Sequence, residues 1–192
     1  RCKIYSIVDV DYAALPSLIR PYTNIEVNNT EMPVDIVSVI DNIPNAETVV
    51  YNQIIFLPNQ KRELALLDKK KNRHASIPNP GNQMAVEDIK RVQEVIARES
   101  RQLVYTHFNL VVAVPAGTDL QKCTNHLENS FGRMGIHISK HAYNQLELFV
   151  SSFPGNCYSM NEEYDRFLTL ADAAMCLTYK ERIQHSEETP LK

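Results

Sequence analysis

The residue types that could do chemistry in this chain are few and scattered. Cys123 and His126 are spaced i, i+3, which on a helix would turn both towards one ion, and His137 and His141 are four apart. Tetrahedral zinc needs four ligands, and no second C-x-x-C or H-x-x-x-H in a suitable context supplies them. His137 falls in an expected strand and His141 at a helix start, so the two do not share a face. Satisfied or surface side chains are the better account of all four. Cys157 follows a turn, where a helix dipole can lower a thiol's pKa, but no general base is near it in sequence. Glu162, Glu163 and Asp165 resemble a carboxylate cluster, yet acids at a helix start more often answer the helix dipole. There is neither a G-x-S-x-G elbow nor a G-x-x-x-x-G-K-[ST] phosphate loop.

One candidate patch is stronger. Lys69, Lys70, Lys71 and Arg73, with His74 beside them and Lys61 and Arg62 upstream, could neutralise phosphates. Against that reading, the net charge is −3 and the strands carry no aromatic motif for stacking bases. Basic residues also suit a helix C-terminus. A solvated or protein-docking face is therefore preferred, with nucleic-acid binding kept as the alternative.

Composition sets broad limits. The 192 residues, 44% hydrophobic and 22% charged, describe an ordinary globular domain rather than a disordered one. The longest strong apolar run, Leu110 to Val114, is strand-sized and far short of a membrane span. Cys2, Cys123, Cys157 and Cys176 lack framework spacing and read as reduced thiols. The chain opens on Arg1 with neither an initiator Met nor a signal peptide, as a segment of a longer protein would.

The elements that must position these groups follow from periodicity. Strands are expected at 3–9, 48–57, 103–114 and 136–138. In the third, Val104, Phe108, Leu110, Val112 and Val114 share a face interrupted only by Thr106; Tyr105, His107, Asn109 and Val111 make a half-polar opposite face. Pro16 and Pro21 exclude a long regular helix between 11 and 29. Met32 to Ile43 fits both strand and helix, and Pro33 in a first turn favours helix.

Helices are expected from Asn59, as cap, to Asn72, and from Gln83 to Gln102 with Ala85, Ile89, Val92 and Ile96 on one stripe. Between them, 77–82 (Ile-Pro-Asn-Pro-Gly-Asn) breaks the chain. A capping box, Thr118 with Gln121, starts a further helix that ends at the glycines Gly132 and Gly135. Another follows from Ser139 to Ser152. Phe153-Pro154-Gly155-Asn156 then reverses the chain, and a long amphipathic helix begins near Asn161. Its stripe is Tyr164, Phe167, Leu168, Ala171, Ala174, Met175 and Thr178, with Lys180 and Arg182 in its last turn.

The fold class is therefore α+β: a ferredoxin-like βαββαβ core with a helical insertion at about 59–102 and a C-terminal helix. The domain comprises 1–152, and 153–192 forms the turn and the final helix.

Residues 98–110 (Arg-Glu-Ser-Arg-Gln-Leu-Val-Tyr-Thr-His-Phe-Asn-Leu), the helix after them and the turn Phe153-Pro154-Gly155-Asn156 resemble the TraG family of Bacteroides-type conjugative transposons, VirB-type ATPases of type IV secretion. The likeness runs across most of the chain, including the proline-containing stretch 9–21. It implies a non-catalytic region upstream of a RecA-like motor, coupling that motor to DNA transfer. The partners implied are the motor domain itself, other secretion components and possible self-association. The implied location is cytoplasmic, at the inner face of the membrane. ATP and magnesium are expected only in the motor, so no cofactor is assigned to these residues. Phe153, Pro154, Gly155 and Asn156 carry over as a junction motif, not as a nucleotide site. A small metal-dependent enzyme built on Cys123 and His126 is the remaining alternative.

Overall fold

The computed structural model describes residues 1–7, 24–27, 30–33, 40, 42–77, 79–133, 136–139, 143–157, 160 and 165–178. Expectations for the prolines of 9–21, for 34–39, His141, Glu162, Glu163, Tyr164, Lys180 and Arg182 fall outside these residues. Among the described residues, no helix is long and apolar enough to cross a membrane.

The centre of the fold is the 11-residue strand β5 (Leu103–Ala113), nearly all of it buried. Its alternating apolar side chains feed two cores, one on each face of the sheet. β4 (Thr48–Phe56) pairs antiparallel along one edge, from Thr48 opposite Ala113 to Phe56 opposite Tyr105. The other edge is shared end to end. β1 (Cys2–Ile7) covers Asn109 to Ala113, and β7 (Phe167–Leu170) covers Leu103 to Thr106. β6 (Ile138–Ser139) pairs outside β1, giving the order β4-β5-β1-β6. Antiparallel neighbours in that order match the strand order of a ferredoxin-like sheet. A separate hairpin, β2 (Asn24–Val27) with β3 (Thr30–Pro33), forms a two-stranded sheet. It places Met32 and Pro33 in a strand, where a helix start was favoured.

One face of the sheet packs Phe108, Leu110 and Val112 against Cys123, Leu127 and Phe131 of α3 (Gln121–Arg133). The other packs Ile4 and Val111 against Leu148 of α4 (Gln145–Ser151) and Met160. Covering both faces explains why the half-polar face of β5 is buried too.

The helical insertion is a hairpin of α1 (Gln60–Ala75) and α2 (Pro80–Glu99), which pack chiefly on each other. Asn59 caps α1, its Oδ1 accepting from Arg62 N at 3.3 Å. α2 starts three residues before the expected Gln83. Pro80 occupies its first turn, where a missing N–H costs nothing, and Asn79 Oδ1 accepts from Asn82 N at 2.7 Å. What reads as a pure breaker is a breaker and a helix start together. α2 ends at Ser100 in the left-handed conformation, φ 53°.

Three further expectations are corrected. Ser139 lies in β6, and the helix expected from it begins as α4 at Gln145. The cap of α3 is Asp119, whose Oδ1 accepts from Gln121 N at 2.8 Å; the Gln121 side chain instead donates to Asn125. The long helix expected from Asn161 does not hold among the described residues: Phe167–Leu170 is strand, and Ala171–Met175 forms the short helix α5. Phe167 and Thr169 point into the sheet's interior, and Phe108 and Phe167 meet with ring centroids 5.7 Å apart. Backbone pairing with the vacant half of β5's edge outweighs the helical stripe. The span 153–192 thus contributes a strand to the main sheet.

Candidate functional site

The site grows from the end of β4. Pro58 has no N–H to continue the ladder, and the chain turns through the Asn59 cap into α1. Gln60, its first residue, then bonds β5 with its side chain: Nε2 donates to Leu103 O at 2.8 Å, and Oε1 accepts from Leu103 N at 2.9 Å. This fixes the first turn of α1 beside β5. Glu63, one turn on, is thereby buried, and its Oε2 accepts from the Tyr105 hydroxyl at 2.8 Å.

Around this pair lies a cleft of about 270 Å³ lined by Phe56, Leu57, Pro58, Asn59, Arg62, Glu63, Leu66, Tyr105 and Arg166. The Arg166 guanidinium lies 3.7 Å from the centre of the Phe56 ring, a cation–π stack. Two guanidiniums, one carboxylate and apolar walls make a cavity of mixed polarity with a net cationic lining. A volume of that order suits a side chain or a small ligand.

Behind the cleft runs a buried polar relay. His107 Nδ1 lies 2.6 Å from Asp165 O, and Asn109 Nδ2 lies 3.1 Å from His107 Nε2. Asn52 Nδ2 donates to Asn109 Oδ1 at 2.9 Å. The pattern assigns the proton of a neutral imidazole to Nδ1, with Nε2 accepting. Burial holds the pKa of His107 below its ordinary value, against the opposing pull of the Asp165 carbonyl. Asp165 is held from its other end, where Oδ1 accepts from Asn144 Nδ2 at 2.9 Å. These groups are occupied with one another, as buried polar groups in a fold are. Asp165 therefore serves as a tether; its expected cluster partners Glu162 and Glu163 lie outside the described residues.

The basic run divides. Lys69, Lys70 and Arg73 are exposed, whereas Lys71 is half-buried between the two helices. Lys71 Nζ donates to Asp68 Oδ1 at 2.7 Å and to Gln93 Oε1 at 2.9 Å, and Gln93 Nε2 closes the triangle on Asp68 at 2.9 Å. The hydrogen bonds from Lys71 and Gln93 hold the Asp68 carboxyl below its usual pKa. Lys71 is a clamp within the hairpin.

Cys123 is fully buried, its thiol donating to Pro44 O at 3.0 Å, and burial raises its pKa. His126 Nε2 is buried without a hydrogen-bond partner, and His137 is exposed. Among the described residues, no group of three or more His, Cys, Asp or Glu is arranged to hold a metal.

Phe153-Pro154-Gly155-Asn156 forms a β-turn, with Asn156 N donating to Phe153 O at 3.1 Å. Gly155 has φ 86°, and Pro then Gly at the two central positions is the signature of a type II turn. Phe153 meets Phe149 edge-on, ring centroids 5.2 Å apart. The turn reverses the chain between α4 and the residues that follow. Cys157, just after it, is half-buried and packs against the Ile4, Val111 and Leu148 core.

Sequence reasoning named Arg62 only as a neighbour of the basic run and missed Glu63, Tyr105 and Arg166. The available signal was an acid four residues after the Asn59 cap, joined to a tyrosine on the half-polar strand face.

No protein-family model matches the chain, and no curated protein shows a significant match to it.

Proposed function

We propose that the chain is a non-catalytic docking domain of a type IV secretion ATPase of the TraG kind, coupling a motor to DNA transfer through protein contacts. One observation carries the reading: the strand on which the resemblance rests is bonded to a segment downstream of the Pro-Gly turn. His107 and Asn109 hold the segment after the Pro-Gly turn through Asp165, and Phe108 meets Phe167. Residues 167–170, downstream of the turn, pair with β5. The polar atoms of His107 and Asn109 are committed to this architecture, which is the work of a structural motif rather than of a reacting group. On this reading ATP and magnesium belong to the motor, and the domain works in the cytoplasm at the inner membrane face.

The test is made on the purified chain, and on the polypeptide encoded directly downstream of Lys192 expressed separately. The expected result is no magnesium-dependent ATP hydrolysis by the chain alone, together with association between the two polypeptides. Sustained hydrolysis by the chain, removed by chelating magnesium, overturns the proposal.

A further inference from the structure

α1 carries two acids among its bases, and both have partners: Glu63 is buried, and Asp68 is exposed but paired. Glu63 is bonded to Tyr105, and Asp68 to Lys71 and Gln93. The exposed charges of the helix are the cations Lys61, Arg62, Lys69, Lys70 and Arg73, with Asp68 exposed as well but bonded to Lys71 and Gln93. Arg62, Leu66, Lys69 and Arg73 fall at i, i+4, i+7 and i+11, one stripe of the helix, extending about 16 Å. The stripe begins in the cleft, which Arg62 and Leu66 both line. Leu66 remains 43% exposed within this basic setting.

We propose that the cleft and this stripe together form a docking groove for an acidic peptide segment of a partner protein. One apolar side chain of the segment sits between Phe56, Pro58 and Leu66, and its carboxylates follow Arg62, Lys69 and Arg73. Charge complementarity selects the occupant. The floor of the cleft decides between acidic macromolecules. A deoxyribose–phosphate backbone offers only acceptors to the carboxylate of Glu63 and would be repelled by it. A peptide backbone supplies N–H donors to Glu63 and carbonyl acceptors to the arginines. The inference deepens the docking reading and rests on it only in taking a protein as the partner.

The experiment uses the full chain and fluorescence anisotropy. The probe is a labelled pool of blocked peptides of Asp and Glu, each with a single Leu, Phe or Met; labelled oligodeoxythymidylate is the comparison. Saturable peptide binding is expected, weakening with salt. It should fall about tenfold or more in an Arg62→Glu/Lys69→Glu variant whose circular dichroism is unchanged. Leu66→Asp should weaken it independently of those two charges. Absence of peptide binding, indifference to both variants, or tighter binding of the oligonucleotide each overturns the groove. If the peptides fail while the downstream polypeptide still associates, the groove falls and the docking reading survives. ATP hydrolysis by the chain sinks the docking reading whatever the peptides do.

Discussion

The side chain of Gln60 meets the main chain of Leu103 as a neighbouring strand would, donating to its carbonyl at 2.8 Å and accepting from its N–H at 2.9 Å. The β4 ladder stops at Phe56 opposite Tyr105, so the glutamine supplies the next rung that Pro58 prevents. Gln145, the first residue of α4, repeats the device on β1: Nε2 donates to Ile4 O and Oε1 accepts from Ile4 N, both at 2.8 Å. β6 covers only Ser6 and Ile7, leaving that position open. In both places an amide side chain extends a sheet edge while anchoring a helix.

Gln60→Ala and Gln145→Ala should each destabilise the chain by about 1–3 kcal/mol, since each strands a backbone donor and acceptor. Gln60→Glu should do no better than alanine, because its carboxylate faces the Leu103 carbonyl. Urea denaturation of the three variants provides the check. Equal stability of wild type and Gln60→Ala would remove the rung from the argument.

His107 makes stability depend on pH. Its folded pKa lies below the unfolded value of 6.5 because burial disfavours the imidazolium. Above the unfolded pKa neither state carries the proton, and the full stability is present. As pH falls below it, the unfolded chain binds a proton that the native state refuses, so stability declines until the folded pKa is reached. His107→Gln should flatten this part of the curve of Tm against pH, although its overall stability is lower. An unaltered slope would show that another group sets the dependence.

Gly155 isolates a backbone effect. A Cβ placed there meets no atom within 4 Å, so only the φ of 86° opposes a side chain. Gly155→Ala should cost about 1 kcal/mol, and Gly155→Asn less, because asparagine tolerates the left-handed region. Chemical denaturation ranks the two. A loss several times larger would mean that the turn has a packing role beyond its backbone.

Phe167 tests the last strand. It is buried against Phe108, and truncation to alanine should cost about 3–5 kcal/mol. Amide hydrogen exchange supplies a second measure: protection at 167–170 should match that of the paired residues 103–106. Fast exchange in that segment would refute the pairing.

Much of this architecture was legible in the chain. The alternation from Val104 to Val114, the Asn59 cap and the Pro154-Gly155 pair are local signals read over a few residues. They sufficed for the ferredoxin-like order and the inserted hairpin. Phe167 to Leu170 was not legible, because four residues fit a helical stripe as well as a strand. The deciding fact lies elsewhere: β1 is too short to cover the whole edge of β5. The cleft was hidden for the same reason. Tyr105 and Arg166 are far apart in sequence, and only the return of the chain after the Pro-Gly turn brings them to one cavity. Thr118 misled because Asp119, one residue later, is an equally good cap.

The shared edge of β5 also sets an order of events at the ribosome. β1 and β4 have been synthesised before β5 emerges, and either can pair with it at once. Leu103 to Thr106 must wait for residues 167–170. Through that interval the nascent protein presents half of one edge of its most apolar strand as an unsatisfied template for another chain. Slow translation of the codons between Thr106 and Phe167 should therefore lower the yield of native protein, and chaperone demand should peak just before Phe167 emerges.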